Sequence, residues 1–199
     1  MKGKKKPERP ATKPAPNLEQ LEAELKRENY KDRYRSVLRS TIFTLITVAA
    51  AAVLVATLLT PVLQITGGSM TPTLTNGEIV VSLKGSGYQS GDIIAFYYDN
   101  KILVKRVIAQ AGQWVDIDEE GNVYVDGELL DEPYLEERAF GECNIELPYQ
   151  VPETKVFVMG DHRSVSLDSR NTSVGCVSED QIVGRLILRV WPLNTFMFL

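Results

Sequence analysis

From Ser40 to Gly77 the chain carries no charged side chain, and within that stretch Thr41–Leu63 (TIFTLITVAAAAVLVATLLTPVL) is apolar, interrupted mainly by threonine. At about 1.5 Å of rise per residue, a helix of this length crosses a hydrocarbon layer of about 30 Å. Charge on either side orients it. Residues 1–39 hold 12 Lys+Arg against 6 Asp+Glu, whereas residues 40–199 hold 10 against 20. Basic flanks stay on the cytoplasmic side of a membrane. The expectation is therefore a cytoplasmic segment over 1–38, a transmembrane helix over 39–63 and an extracytoplasmic domain over 64–199. A cleaved export signal also begins basic and turns apolar. Its apolar core is only roughly 7–15 residues long, however, and the longer run here favours a retained anchor.

The first 16 residues (MKGKKKPERPATKPAP) are basic and proline-rich, with nothing to build a core from, and are expected to be disordered. Asn17 offers a helix N-cap. Leu18, Leu21 and Leu25 then recur at helical spacing through a charged segment ending near Arg35, read as a solvated helix leading to the membrane; a partner or membrane-surface helix is the alternative. Beyond the apolar run the pattern changes to short strands, expected over Glu78–Leu83, Asp92–Tyr98, Ile102–Ala109, Gln113–Ile117, Asn122–Val125, Lys155–Met159 and Ile182–Trp191. Turn residues such as Glu120-Gly121-Asn122 and Asp126-Gly127 separate them. The fold class expected is mostly β, preceded by a single N-terminal transmembrane helix. Two cysteines, Cys143 and Cys176, fall in the part expected to be exported, where a disulfide is permitted; two thiols that never meet is the other reading.

Three segments carry chemistry. Ser69 lies in Gly67-Gly68-Ser69-Met70-Thr71-Pro72-Thr73-Leu74, where two glycines allow a backbone that exposes a hydroxyl and aims a main-chain N–H at a bound carbonyl. A serine nucleophile needs a base. The chain has one histidine, His162, and one lysine set inside an apolar strand, Lys105 in Ile102-Leu103-Val104-Lys105-Arg106-Val107-Ile108. Alternation puts Lys105 on the face of Leu103 and Val107, where desolvation would hold the amine neutral; from this segment alone an exposed, snorkelling lysine is the competing reading. The third segment, Met159-Gly160-Asp161-His162-Arg163-Ser164-Val165-Ser166-Leu167-Asp168-Ser169-Arg170, alternates carboxylates, arginines and hydroxyls densely enough for a buried hydrogen-bond network. An ordinary polar loop with surface ion pairs is its alternative.

Together these segments resemble the type I signal peptidase family in its Gram-positive form. Ser69-Met70-Thr71-Pro72-Thr73-Leu74 is similar to the nucleophile box, Gly91-Asp92-Ile93-Ile94-Ala95-Phe96 to the next strand box and Lys105-Arg106-Val107-Ile108 to the general-base box. Gly160-Asp161-His162-Arg163 with Ser166, Asp168, Ser169 and Arg170 resembles the last box. Four boxes in order behind an apolar anchor are specific, although each alone is weak. The resemblance implies Ser69 as nucleophile and Lys105 as general base, with Ser166 donating a hydrogen bond that places the amine. It implies structural pairs Asp161–Arg106 and Asp168–Arg170. The oxyanion site would lie at Ser69 and Gly67, and Ile65, Met70, Leu74, Leu103 and Val104 would line shallow substrate pockets. The activity implied is removal of signal peptides from secretory preproteins after small residues in the A-x-A manner, at the outer face of a bacterial membrane. Membrane lipid and the secretion translocon are the other partners, and no nucleic acid, metal or cofactor is implied.

Departures from the family pattern are local. Many bacterial relatives carry a hydroxyl residue at the place of Gly67, so the oxyanion site here would rest on backbone N–H groups, chiefly that of Ser69; loss of one such donor elsewhere costs about 3–4 kcal/mol. His162 stands where asparagine is usual, and Ala111 and Gln113 replace a common proline and aspartate. Two rivals remain, a second enzyme and a protein of another class. Soluble repressors that cut themselves with a Ser-Lys pair lack an uncharged span like the one from Thr41. A membrane-tethered binding protein with a dead site would have no need of Ser69, Lys105, Ser166 and Asp168 together.

Overall fold

The structure is a computed structural model that describes residues 17–199; the expectation for residues 1–16 lies outside the described residues. Two units are present, one up to Val53 and one from Leu54 to Leu199. A single helix, α1, runs without interruption over Leu18–Leu59. The charged helix expected to stop near Arg35 and the apolar helix expected over 39–63 are therefore one element, which ends earlier. Pro61 supplies the stop, because a proline lacks the N–H for the ladder and pushes the preceding residue out of the helical region. At the other end Asn17 caps the helix: Gln20 N–H donates to Asn17 Oδ1 at 2.9 Å, and Asn17 N–H donates to Gln20 Oε1 at 3.1 Å. The threonines of the apolar half satisfy their own hydroxyls. Thr41, Thr44 and Thr47 donate to the carbonyls of Val37, Ser40 and Phe43 at 2.8–2.9 Å. That removes the cost of an unpaired hydroxyl in an apolar medium.

The second unit is built from antiparallel strands: β1 (Val62–Gln64), β2 (Ile79–Leu83), β3 (Ile93–Tyr98), β4 (Lys101–Ala109), β5 (Trp114–Ile117), β6 (Val123–Val125), β7 (Glu128–Leu129), β8 (Tyr149–Gln150), β9 (Lys155–Met159), β10 (Val177–Ser178), β11 (Ile182–Trp191) and β12 (Met197–Phe198). The seven strands legible in the sequence are present with ends shifted by at most one residue. The additional ones, β1, β7, β8, β10 and β12, are two or three residues long. They are set by their neighbours, since such short pieces have no periodicity of their own. The larger sheet runs β1-β2-β11-β3-β4-β9-β10 with β12 also on β11, and the smaller runs β7-β6-β5-β8.

Apolar side chains cover both faces of the larger sheet. On β3, Ile93 and Ala95 pack with Ile65, Met70, Leu74, Val80, Val183 and Leu186, while the alternate residues Ile94 and Phe96 pack with Val107, Val156, Val158 and Val177. A third cluster, around Ile108, Val115, Val123, Phe157 and Met159, joins the two sheets. The first cluster fixes the site. Ile65, Met70 and Leu74 lie in the loop between β1 and β2, so their burial pins that loop to the sheet while Ser69 stays half-exposed.

Candidate active site

The Ser69 loop is closed at its base by Ile65 N–H donating to Glu78 O at 2.8 Å and Gly77 N–H donating to Ile65 O at 2.9 Å. Lys105 comes from the centre of β4, opposite Ile94 of β3. Its Nζ lies 2.7 Å from Ser69 Oγ. The lysine is 3% exposed, and burial pushes its amine down from an ordinary value of 10.5 to about 8; Asp168 opposes this shift, Arg170 adds to it, and Asp161 opposes it. Desolvation wins because the carboxylates are already committed to arginines.

Those commitments are geometric. Asp161 follows β9 and accepts a bidentate pair from Arg106 of β4, Nε–Oδ1 at 2.9 Å and Nη2–Oδ2 at 2.6 Å. Thr73 of the serine loop donates to the same carboxylate at 2.5 Å. Asp168 receives Arg170 in the same way, with Nε and Nη2 each at 2.9 Å, and also accepts the Gly160 N–H at 3.0 Å. Arg170 turns its remaining donors to the carbonyls of Phe140 and Arg163. Ser169 Oγ accepts from Val158 N–H and donates to Gly175 O. The dense polar segment thus forms a buried network and not a loop of surface ion pairs. Gly160 sits where β9 meets the serine loop: a Cβ there would overlap both Ser166 Oγ and the Ser69 carbonyl oxygen, so no larger residue fits.

Several expectations need correction. Ser166 Oγ is buried and has no hydrogen-bond partner among the described residues, so the bond expected from it to the Lys105 amine is not formed in this structure. Leu74, expected in a substrate pocket, is fully buried in the first core cluster, where it anchors the loop from below. Ile65, Met70, Leu103 and Val104 do line a cleft of about 330 Å³ that has Ser69 at its edge. Of the two residues expected at the oxyanion site, Gly67 has its N–H occupied, donating to Asn76 Oδ1 at 3.0 Å. The Ser69 N–H donates to no acceptor among the described residues. Cys143 and Cys176 are free thiols, and burial raises Cys176 to about 11.

Other residues escaped the sequence reading. Glu132 is fully buried against Arg163, whose Nη2 and Nη1 both donate to its carboxylate, and Tyr134 OH donates to it at 2.8 Å. The Arg106 guanidinium stacks 3.9 Å above the Tyr134 ring. Nothing in Asp131-Glu132-Pro133-Tyr134 marks an acid whose partner lies 31 positions away. Arg189 of β11 similarly pairs with Glu78 at 3.0 Å. His162 donates its backbone N–H to the Ser69 carbonyl at 3.0 Å, and its ring faces Thr71 and Gly68.

A family model described as signal peptidase, peptidase S26, matches residues 38–191. Signal peptidase IB of Staphylococcus aureus (strain MRSA252) is 36% identical, over 67% of this chain and 79% of that protein. Signal peptidase I S of Bacillus subtilis (strain 168) is 36% identical, over 64% of this chain and 75% of that protein. A crystal structure of a signal peptidase I from Enterococcus faecalis V583 aligns with a TM-score of 0.44 at 28% identity, covering 51% of this chain and 97% of that one. The family model spans most of the chain and the curated relatives agree with it, so this chain belongs to the signal peptidase family, peptidase S26, and is a serine endopeptidase that removes signal peptides.

Proposed function

We propose that the chain cleaves preproteins by a Ser69–Lys105 acyl-enzyme mechanism, after small residues in the A-x-A manner, with its catalytic unit on the outer side of a membrane crossed by the apolar half of α1. The observation that carries the proposal is the 2.7 Å contact between a buried lysine amine and the Ser69 hydroxyl. Neutral Lys105 takes the Ser69 proton as Oγ attacks the scissile carbonyl, and the Ser69 N–H receives the developing oxyanion. The ammonium then returns that proton to the departing amine of the mature chain. Water attacks the acyl-enzyme as Lys105 accepts its proton, and the ammonium then gives that proton to Ser69 Oγ as the ester C–O bond breaks, which releases the signal peptide with its new carboxyl end and regenerates the hydroxyl and the neutral amine. Asp161–Arg106 and Asp168–Arg170 act as structural supports that fix the strand end and the loop around the amine.

Specificity for small side chains is supported by the cleft between the β1 side and the start of β4. Among the described residues, 101–105 of β4 pair with β3 alone and β1 pairs with β2 alone, which leaves each with one unpaired edge there. An extended substrate can bond to such edges through its main chain, while Ile65, Met70, Leu103 and Val104 wall the cleft with apolar side chains suited to small apolar substrate side chains. A membrane span is supported by the apolar stretch from Thr41 to Leu59, which buries none of its side chains and is about 28 Å long as a helix. The excess of Lys and Arg before it supports a cytoplasmic N-terminus. Membrane lipid and the secretion translocon are the partners this arrangement implies.

The test uses the full chain in detergent micelles and a synthetic peptide spanning an A-x-A site, with products identified by mass spectrometry. Cleavage after the second alanine is expected, with loss in both Ser69→Ala and Lys105→Ala. An active Lys105→Ala enzyme would overturn the dyad.

A further inference from the structure

The peptide group joining Gly68 to Ser69 has two ends. Its N–H is the donor assigned above to the oxyanion, and its C=O is the Gly68 carbonyl. Because a peptide is planar and trans, fixing the carbonyl fixes the direction of the N–H. Thr71 donates to that oxygen twice, through its N–H at 3.2 Å and its Oγ1–H at 2.8 Å, and His162 Nδ1 lies 3.3 Å from it. His162 Nδ1 also lies 2.9 Å from Thr71 Oγ1. A carbonyl oxygen can only accept, so the ring bonds it only as the tautomer that carries a hydrogen at Nδ1; with that hydrogen absent, the Thr71 hydroxyl would donate to Nδ1 instead. The next peptide is held from the same side, since the His162 backbone N–H bonds the Ser69 carbonyl. Asp161, Glu136 and Glu137 line the hollow next to the ring and Thr71.

We infer that Thr71 and His162 form a clamp on the Gly68 carbonyl that aims and polarises the Ser69 N–H, positioning the oxyanion donor in a chain that has no hydroxyl at Gly67. Both are positioning residues, and the inference rests on the Ser69–Lys105 reading. Pulling electron density toward a hydrogen-bonded carbonyl makes the N–H of the same amide a stronger donor. The clamp thereby supplies by geometry part of what a second donor would supply by contact. Gly67 cannot contribute its own N–H, which Asn76 already holds.

The test combines kinetics with a readout that structure alone would not move. Removing a whole oxyanion donor lowers kcat by about a hundredfold to a thousandfold, so misaiming one should cost about ten- to a hundredfold in kcat with KM little changed. Thr71→Val and His162→Ala are expected to show this loss. Thr71→Ser and His162→Asn, which keep a hydroxyl and a donor near the Nδ1 position, should retain most of kcat. Because His162 is the one histidine of the chain, long-range ¹H–¹⁵N correlations of histidine-labelled wild-type enzyme should report a ring that carries a hydrogen at Nδ1. A ring bare at Nδ1, or wild-type kcat in both Thr71→Val and His162→Ala, overturns the clamp, and the spectrum decides even where a variant fails to fold. The underlying dyad is judged separately: activity in Ser69→Ala or Lys105→Ala removes that reading, whereas inactive Ser69→Ala beside fully active clamp variants removes the clamp alone.

Discussion

Replacing Lys105 by methionine deletes the amine while keeping an unbranched side chain of similar reach, and the burial of this lysine makes the consequence quantitative. The amine falls from 10.5 to about 8 in the folded chain. A lysine whose folded value is depressed weakens the fold wherever both states are protonated. Below pH 8 the folded chain carries the full penalty of a buried ammonium, and the penalty fades as pH rises from 8 to 10.5, where the unfolded chain binds more protons than the folded one. Linkage gives a cost of about 3 kcal/mol at pH 7 and about 1 kcal/mol at pH 10. Losing the bond to Ser69 returns about 1 kcal/mol of this, because Ser69 is half-exposed and can turn to water. Lys105→Met should therefore be inactive yet more stable than the parent by about 2 kcal/mol at pH 7, with little difference at pH 10. Urea unfolding of the full chain in detergent, followed by the fluorescence of Trp114 and Trp191, measures this at each pH. A variant less stable than the parent at pH 7, or a difference that stays flat between pH 7 and 10, would refute the depressed amine.

The same amine predicts that kcat/KM rises with pH along one limb with its midpoint at about 8, since only the neutral form accepts the Ser69 proton; a limb that vanished in His162→Asn would assign the base to imidazole instead. Asp168→Ala strands Arg170, which is fully buried, and should cost about 3–5 kcal/mol of stability in the same unfolding assay, far more than a surface pair would. A protease added outside sealed cells should digest residues beyond Leu59 and spare the basic N-terminus; cleavage of the N-terminal segment from outside would reverse the orientation. Restoring a hydroxyl by Gly67→Ser faces a φ of +88° that serine rarely adopts, so the variant is expected to lower Tm, read by thermal scanning, despite the open space around the glycine.

The sequence alone determined the features that depend on local pattern. The uncharged run fixed an apolar helix, and alternating apolar residues fixed seven strands to within one residue, because both signals repeat inside a single element. Pro61 and Asn17 mark the helix ends in the sequence, although the early stop at Leu59 was missed where composition stayed apolar through Leu63. Whether Lys105 was a snorkelling surface lysine or a buried one was undecidable from its own strand. That depended on a loop 36 positions away folding over it. The Arg106–Asp161 pair was implied by the family resemblance, whereas tertiary structure alone buried Glu132 against Arg163. It also sank Leu74 into the core, left Ser166 unpartnered and turned the His162 ring onto the Gly68 carbonyl. Each of these is a contact between residues far apart in the chain, set by strand order and by which sheet face each cluster fills. Neither leaves a period in the sequence.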